Sequence, residues 1–331
     1  GTRTKTSGWQ QTGAFLLHRL TLADSMFIFQ RLCTPAREIC LHVCSWIHTE
    51  TIGLVEKTDW FILQTKKRDT MTWFRQDSEN SHLRHNRIRH IYEDSSRNIW
   101  IASDGGIGKY DRNTENFDFF NIQVDSTGKN ANWAYSILED QSGRIWIASY
   151  MGGLFICTKE TMSILYHFDE NSGIGSNVYL MEEGDDGHIW ASTSNGLVSI
   201  DINTLEVYQS GFYVDNMVYF KGSIWYSVLG KLYRYDTLNN TSRNIPFSET
   251  CRQIFNFFRE DDRIWFTSSE GLACIDPSTA SITSVSPIDD YYLCGLHNNA
   301  TGEIILGGED CLLRISLDKK ELQHSSATPV I

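Results

Sequence analysis

The 331-residue sequence has little proline and carries no long apolar run. Only five Pro residues are present, and no stretch of about 18 apolar residues exists, which excludes a membrane-spanning helix inside this segment. Lys and Arg total 29 against 41 Asp and Glu, for a net charge of −12. Because a general nucleic-acid-binding protein needs a basic face that displaces counterions, we expect this segment to bind no nucleic acid. We also expect it to make no contact with a membrane.

Signatures of redox, metal and catalytic chemistry are also missing. The eight Cys include no Cys-x-x-Cys pair, so zinc and thioredoxin-type motifs are absent. The sequence holds no phosphate-binding Gly-rich loop, no nucleophile elbow and no zinc-protease motif. We therefore expect no catalytic residue, no metal and no cofactor in this segment.

Aromatic residues are abundant, and they mark a repeat. They make up 12% of the chain and include ten Trp. An Ile-Trp pair, or a related apolar pair, recurs with a mean spacing of about 43 residues, which is typical of four-stranded propeller blades. The anchor residues are Trp46, Trp100, Trp146, Trp190, Trp225, Trp265 and Ile305.

Each unit predicts four short strands separated by Gly, Asp and Asn turns. The Ile-Trp-Ile strand is apolar on both faces and must be covered on both sides, as happens when blades pack face to face. We predict an all-β fold, a seven-bladed β-propeller of four-stranded antiparallel blades over residues 39–324. The predicted blades are 39–85, 86–131, 132–176, 177–215, 216–250, 251–290 and 291–324.

The two ends of the chain fall outside the repeat. Residues 1–38 contain two plausible strands, at 14–22 and 25–32, which either close the ring against the last blade or belong to a preceding module. The stretch 56–73 is predicted to be an irregular insertion in the first blade. Residues 325–331 are predicted to be a linker to a downstream domain, and the start at Gly1 indicates a segment of a longer chain.

A basic cluster around residues 82–90 is unusual in so acidic a chain. Arg87 and Arg89 fit a grip on a uronate or sulfate group, since guanidinium forks bind such anions in pairs of hydrogen bonds. The alternative is a solvated loop with channel-lining side chains. A metal site at His82 and His85 is disfavoured because no carboxylate or thiolate completes it.

Equivalent positions in other units hold aromatic or basic residues. Aromatic faces stack on sugar rings, whereas the alternative is that these side chains simply fill a tapering channel. The candidate ligand-binding residues are Arg87, Arg89, Trp133, Tyr135, Tyr150, Tyr179, Arg252 and Tyr292. Acidic clusters at 182–186, 261–262 and 289–290 raise a glycosidase pair, but their turn positions favour structural roles. A calcium loop at 182–186 lacks the twelve-residue spacing of the EF-hand. The recurring Asn residues at 86, 132, 177 and 216 are interpreted as turn formers.

The repeated pattern resembles the regulator-propeller repeat. The third unit shows it in Asp140, Gly143, Ile145–Ile147 and Gly152–Leu154, and the resemblance covers about residues 39–331. That family forms the periplasmic sensor regions of hybrid two-component systems in Bacteroides-type bacteria. The resemblance implies two seven-bladed propellers, a β-sandwich, a span of the inner membrane, a histidine kinase, a receiver and a DNA-binding module.

By this resemblance the segment is a periplasmic ligand-sensing propeller. It would bind an oligosaccharide and signal through rearrangement of domains or of a homodimer, with the adjacent propeller and β-sandwich as partners. It would not itself be an enzyme. The first alternative is a propeller-fold polysaccharide lyase or glycosidase, which needs converging carboxylates or His residues at one mouth. The second is a protein-interaction scaffold, which needs a large exposed apolar patch.

Overall fold

The computed structural model describes most of the chain as antiparallel β-sheet. The described residues are 15–22, 25–32, 41–47, 51–56, 60–65, 70–74, 76, 83–114, 116–124, 126–285, 292–298, 302–308 and 312–317. They form six four-stranded sheets and one five-stranded sheet. This confirms the predicted all-β class and the four-stranded antiparallel blade. Within these ranges no helix is long and apolar enough to cross a membrane.

We number the sheets I to VII in chain order. Sheet I comprises β3 Leu41–Ile47, β4 Thr51–Glu56, β5 Trp60–Thr65 and β6 Thr70–Phe74. Sheet II comprises β7 Ile88–Glu93, β8 Ile99–Ser103, β9 Gly106–Asp111 and β10 Asn116–Phe119. Sheet III comprises β11 Ala134–Glu139, β12 Ile145–Ser149, β13 Gly153–Cys157 and β14 Ile164–Phe168.

The later sheets repeat this plan. Sheet IV comprises β15 Val178–Glu183, β16 His188–Thr193, β17 Gly196–Asp201 and β18 Val207–Gln209. Sheet V comprises β19 Asn216–Phe220, β20 Ser223–Val228, β21 Lys231–Asp236 and β22 Thr241–Ile245. Sheet VI comprises β23 Ile254–Glu260, β24 Arg263–Ser268, β25 Gly271–Asp276 and β26 Ser281–Val285.

Sheet VII combines strands from both ends of the chain. It contains β27 Tyr292–Asn298, β28 Glu303–Gly308 and β29 Leu312–Leu317, together with β1 Phe15–Leu22 and β2 Ser25–Leu32. β2 pairs antiparallel with β29, and β1 pairs with β2 on the outside. The N-terminal strands thus complete the sheet that ends the repeat, although the exact bounds of the predicted units stay a prediction.

The first strands of the sheets surround a central channel. Each packs beside the first strand of the next sheet, from β3 through to β27, and β27 packs against β3. A propeller ring of this kind leaves the start of every first strand at one mouth and its end at the other. The connections into the first strands therefore meet at one mouth, and the turns that follow these strands meet at the opposite mouth.

Two predictions for the first unit are wrong. Trp46 lies on the first strand of sheet I, where it pairs with Ile52, and Gly53 of the second strand holds the register position that Trp100 holds in sheet II. Residues 56–73 are not an irregular insertion, because β5 and most of β6 lie there in regular antiparallel register. The error arose because the Trp46-Ile47 pair mimics the repeat one strand too early.

The core lies between neighbouring sheets. In β8, Trp100 packs against sheet III beside Ile145, whereas Ile99 and Ile101 pack with Phe74 towards sheet I. All five residues of β8 are buried, as are all five of β12. This confirms the prediction that the Ile-Trp-Ile strand is covered on both faces.

A carboxylate in the turn after the first strand holds most of the strand-two indoles. In sheet II the Nε1 of Trp100 donates to Asp94 at 2.9 Å, and in sheet III that of Trp146 donates to Asp140 at 2.7 Å. The same bond joins Trp190 to Asp186 at 3.3 Å and Trp265 to Glu260 at 2.7 Å. The repeated Asp in the sequence is thus a partner for a buried N–H as well as a turn former.

Candidate functional site

A β-bulge recurs near the start of the first strand in six of the seven sheets. In β11, for example, Ala134 pairs with Ser149 and Ser136 with Ala148, which leaves Tyr135 without a ladder partner. Bulges redirect side chains and are common beside binding sites. The bulged residues are His42, Arg89, Tyr135, Tyr179, Phe255 and Leu293. Arg89, Tyr135, Phe255 and Leu293 all line a cavity in the channel.

Four aromatic side chains from sheets III and IV form a continuous group, which we call the aromatic strip. Trp133 and Tyr150 have ring centroids 5.4 Å apart, and Tyr150 stacks on Tyr135 at 6.0 Å. Tyr135 then meets Tyr179 edge-on at 5.7 Å. The structure therefore brings together four of the aromatic residues that the sequence singled out.

The outer end of the aromatic strip lies beside a cavity of about 390 Å³. Trp133 is 47% exposed and Met151 63% exposed, which is unusual for side chains of this size. The cavity is lined by Thr127, Gly128, Lys129, Asn130, Asn132, Trp133, Tyr150 and Met151. An exposed indole beside amide and hydroxyl groups presents an apolar face and hydrogen-bonding groups together, which suits a sugar ring.

A glycine turn lets the loop before Trp133 approach β12. A Cβ atom on Gly152 would lie 2.1 Å from the carbonyl oxygen of Asn130, so any larger residue would push that loop away. The backbone N–H of Tyr150 donates to the carbonyl of Trp133 at 2.8 Å. The backbone N–H of Met151 donates to the side chain of Asn177 at 2.8 Å. These contacts fix the walls of the cavity.

Arg89 joins the aromatic strip at its inner end. Its guanidinium lies 4.3 Å from the ring centroid of Tyr135, a cation–π arrangement. The same group binds Asp104 through two hydrogen bonds, at 2.8 and 3.3 Å. Arg87 lies 3.6 Å from Asp104 but keeps its side chain 64% exposed. Arg89 is thus held in place, and Arg87 is the guanidinium more accessible to an anion.

The channel beyond the strip contains His90, which is partly buried. The backbone N–H of Ile137 donates to Nδ1 of His90 at 3.2 Å. Burial lowers the pKa of His90 to about 4, partly offset by that hydrogen bond. Further along, Arg259 of sheet VI forms an ion pair with Glu182 of sheet IV, and burial raises the pKa of Glu182. The channel cavity measures about 350 Å³.

Arg252 and Tyr292 lie away from the aromatic strip. Tyr292 is only 3% exposed and packs in the core between sheets VI and VII with Trp265 and Leu306. Its place in the register is that of Ala134, the residue before the bulge, and Leu293 holds the position of Tyr135. Arg252 lies in the connection that leads into sheet VI, two residues before β23, at the position equivalent to Asn132. Tyr292 thus lies one position and Arg252 three positions before the bulged residues of their strands, Leu293 and Phe255.

The acidic clusters are bound within the fold. Asp186 accepts the Trp190 indole N–H, and the Tyr219 hydroxyl donates to Asp185. Asp262 binds Lys221 at 2.6 Å. Among the residues that the structure describes, no group of His, Cys, Asp and Glu could hold a metal ion. Asp289, Asp290 and His82 lie outside the described residues.

Sequence reasoning missed Asp104, Lys129 and Met151. Asp104 follows β8 and reaches back to β7, a contact that depends on sheet pairing. Lys129 lies in the loop before Trp133, where Asp169 at 3.4 Å and Glu170 partner it, and the Glu170 hydrogen bond raises the pKa of Lys129. The one signal in the sequence that could have identified Lys129 is its place four residues before Trp133.

The comparisons with known proteins agree with the predicted repeat. Residues 82–105 and 128–151 match the model of the two component regulator propeller family. This confirms the resemblance to that repeat, and the two matched segments contain Arg87, Arg89, Trp133, Tyr135 and Tyr150. No curated protein matches the chain significantly in sequence.

Solved structures with this fold include extracellular domains of two-component systems and a lyase. The extracellular domain of BT4673 from B. thetaiotaomicron, described as part of a one-component or hybrid two-component system, superposes with a TM-score of 0.76 at 21% identity over 94% of this chain and 47% of its own. The extracellular domain of the hybrid two-component system BT3049 from the same organism gives 0.68 at 14% identity over 92% of this chain and 42% of its own. A streptogramin B lyase gives 0.68 at 14% identity over 88% and 98% of the two chains.

These likenesses define a class of fold. The chain is a β-propeller, the fold that it shares with the extracellular domains of BT4673 and BT3049, and it spans about half the length of the BT4673 domain. At these identities the likeness shows the fold, and the function must come from the site.

Proposed function

We propose that this propeller is a ligand-sensing module in the periplasmic part of a two-component sensor, and that its aromatic strip binds an oligosaccharide. The observation that carries the proposal is the run of rings from exposed Trp133 through Tyr150 to Tyr135 at the channel mouth. Rings of this kind provide stacking faces for successive sugar units. Arg87 supplies an accessible cation, so an oligosaccharide that carries a uronate or sulfate is favoured.

Signalling follows from binding at a mouth of the ring. A ligand held there contacts both the strip and whatever domain or second copy lies over that mouth. It therefore stabilises one arrangement of the sensor over another, by at most its difference in affinity for the two. The parent chain would carry this difference to a histidine kinase across the inner membrane.

The proposal is tested with an array of plant and host oligosaccharides, followed by calorimetric titration of the best acidic ligand and its neutral counterpart. Trp133→Ala should weaken binding by at least about tenfold, as expected for loss of one stacking face. Arg87→Ala should weaken binding of the acidic ligand alone and reduce its dependence on salt concentration.

Tyr208→Ala is the matched control. Tyr208 is also an exposed aromatic residue, at 51%, but it lies on the outer strand β18. Its loss should leave affinity unchanged. Absence of glycan binding by the wild-type protein, or equal losses with Trp133→Ala and Tyr208→Ala, would contradict the proposal. Release of cleaved product from the bound glycan would favour the lyase or glycosidase alternative.

A further inference from the structure

Sheet V lacks the carboxylate that binds the indole in sheets II, III, IV and VI. Its first turn consists of only Lys221 and Gly222, between Phe220 and Ser223. The strand-two residue Trp225 is nevertheless fully buried, at 0% exposure. Its Nε1 has no hydrogen-bond partner, although an unpaired buried N–H costs about 1–3 kcal/mol. The shortened turn has removed the acceptor and kept the donor.

A pocket of about 440 Å³ lies beside this indole, between sheets V and VI. It is lined by Phe220, Lys221, Trp225, Arg234, Asp262, Arg263, Asp276, Pro277 and Ser278. In sheet II the first turn is longer, and its Asp94 accepts the indole N–H of the equivalent Trp100. The volume of the pocket beside Trp225 falls within the range of small-molecule sites, which is about 300–1,000 Å³.

The charge around the pocket suits an anion. The guanidinium of Arg234 lies 5.4 Å from the ring centroid of Trp225. It donates to Ser223 Oγ at 3.0 Å and to the Pro277 carbonyl at 3.5 Å, and no carboxylate of the described chain forms a salt bridge with it. Arg263 adds a second guanidinium. Asp276 is engaged by Ser278, and Asp262 by Lys221.

In the other sheets of the repeat, the equivalent indole N–H binds a carboxylate of the chain. In sheet II, Asp94 accepts the Trp100 indole N–H and lies 3.5 Å from the Lys159 ammonium. In sheet III, Asp140 accepts the Trp146 indole N–H and pairs with Arg144 at 2.7 Å. Sheet V presents the same indole donor and a neighbouring cation, with the carboxylate missing from the chain.

We propose that this pocket binds the carboxylate of a small organic acid, which takes the place that Asp94 and Asp140 hold in their own sheets. The carboxylate accepts from the Nε1 of Trp225 and pairs with Arg234. Because the indole N–H is enclosed, a side chain at the pocket must move for the ligand to reach it. Lys221 is suited to this movement, since its side chain is 64% exposed and its partner Asp262 is 84% exposed.

The test uses the whole chain labelled with nitrogen-15 at its Trp indoles, titrated with sodium acetate at constant ionic strength. The Trp225 indole resonance, assigned by its loss in Trp225→Phe, should shift saturably. The resonances of Trp100 and Trp146 should not move, since Asp94 and Asp140 already bind them. Acetamide, which has the same shape without the charge, should have no effect.

Three variants sharpen the result. Arg234→Met should weaken acetate binding by at least about tenfold. Lys109→Met is the matched control, because Lys109 pairs with Trp100 in register as Arg234 does with Trp225, and it should leave acetate binding unchanged. Lys221→Asp places a carboxylate four residues before the Trp, as in Asp186 and Trp190, and should abolish acetate binding.

The proposal is overturned by any of three results. These are a Trp225 resonance that does not move in acetate, one that moves equally with chloride or acetamide, and unchanged acetate affinity in Arg234→Met. None of these results bears on glycan binding at the aromatic strip. The pocket is lined by residues of the first turns, which follow the first strands, whereas the strip lies at the start of those strands. The two proposals therefore fail separately.

Discussion

The two mouths of the channel use the same side-chain types for opposite purposes. At the mouth with the first turns, carboxylates and indoles are paired and buried, as in Asp140 and Trp146. At the other mouth, Trp133 is exposed, and the carboxylate of Asp104 holds Arg89 against a ring. The first arrangement stabilises the blades, whereas the second leaves aromatic faces open to a ligand. The difference separates an end where the repeated turns stabilise the blades from an end where an exposed ring and an accessible guanidinium support the proposed glycan site.

The largest effect is expected from Asp140→Ala. This carboxylate accepts from the backbone of Ser142 and Arg144, from the Arg144 guanidinium and from the Trp146 indole. Its removal leaves a buried N–H unpaired and releases the turn, which should lower the free energy of unfolding by about 3 kcal/mol. Urea denaturation measures the loss.

The control for Asp140→Ala is Asp262→Ala. Asp262 also lies in a first turn and forms an ion pair, but its side chain is 84% exposed. Its loss should change the free energy of unfolding by less than about 0.5 kcal/mol. Equal losses for the two variants would mean that the indole-bound carboxylates carry no special structural role.

A smaller effect separates two equivalent indoles. Trp146→Phe and Trp225→Phe remove the same atoms from fully buried sites. Only Trp146 has a carboxylate partner, so Trp146→Phe should lose about 2 kcal/mol more of unfolding free energy than Trp225→Phe. Urea denaturation in buffer free of organic acids provides the measurement. A difference near zero would show that the pairing of Asp140 with Trp146 adds little net stability.

The fold was predictable because each unit carries its own signal. An Ile-Trp-Ile strand encodes burial on both faces, and the Gly and Asp turns mark its ends, so no long-range knowledge was needed for sheets II, III and IV. Where that signal weakens, the prediction failed. Trp46 was assigned to the wrong strand, and the regular strands around residues 60–74 were taken for an insertion.

The site was only partly predictable, for a different physical reason. Arg89, Tyr135 and Tyr179, which the sequence singled out, share one bulged position in consecutive first strands. The bulge adds one residue to the strand, and nothing in the local pattern marks it. In the last unit the sequence pattern does not show which residue is bulged: Tyr292, one position earlier, packs in the core, and Leu293 holds the position of Tyr135. The pocket beside Trp225 lies where the first turn of sheet V is short and carries no carboxylate. Its lining residues come from sheets V and VI, so only the packing of the two sheets shows it.

The smallest effect concerns His90, which lies in the channel between the two mouths. Its folded-state pKa is lowered to about 4 by burial, against about 6.5 in an unfolded chain. Between these values the unfolded state binds the proton more readily, so stability is present above pH 6.5 and is lost as the pH falls towards 4. With allowance for water in the channel, the free energy of unfolding should fall by about 1–2 kcal/mol over this pH interval.

His90→Asn isolates this contribution, because an Asn oxygen can accept the Ile137 N–H that His90 Nδ1 now accepts. Urea denaturation of both proteins at pH values from 7 to 4 gives the difference in unfolding free energy, in which the titration of shared carboxylates cancels. That difference should change steadily across the interval and stay constant above about pH 7. If it stays constant throughout, His90 is not held neutral by the channel. The interior between the mouths would then be better hydrated than the burial of His90 implies.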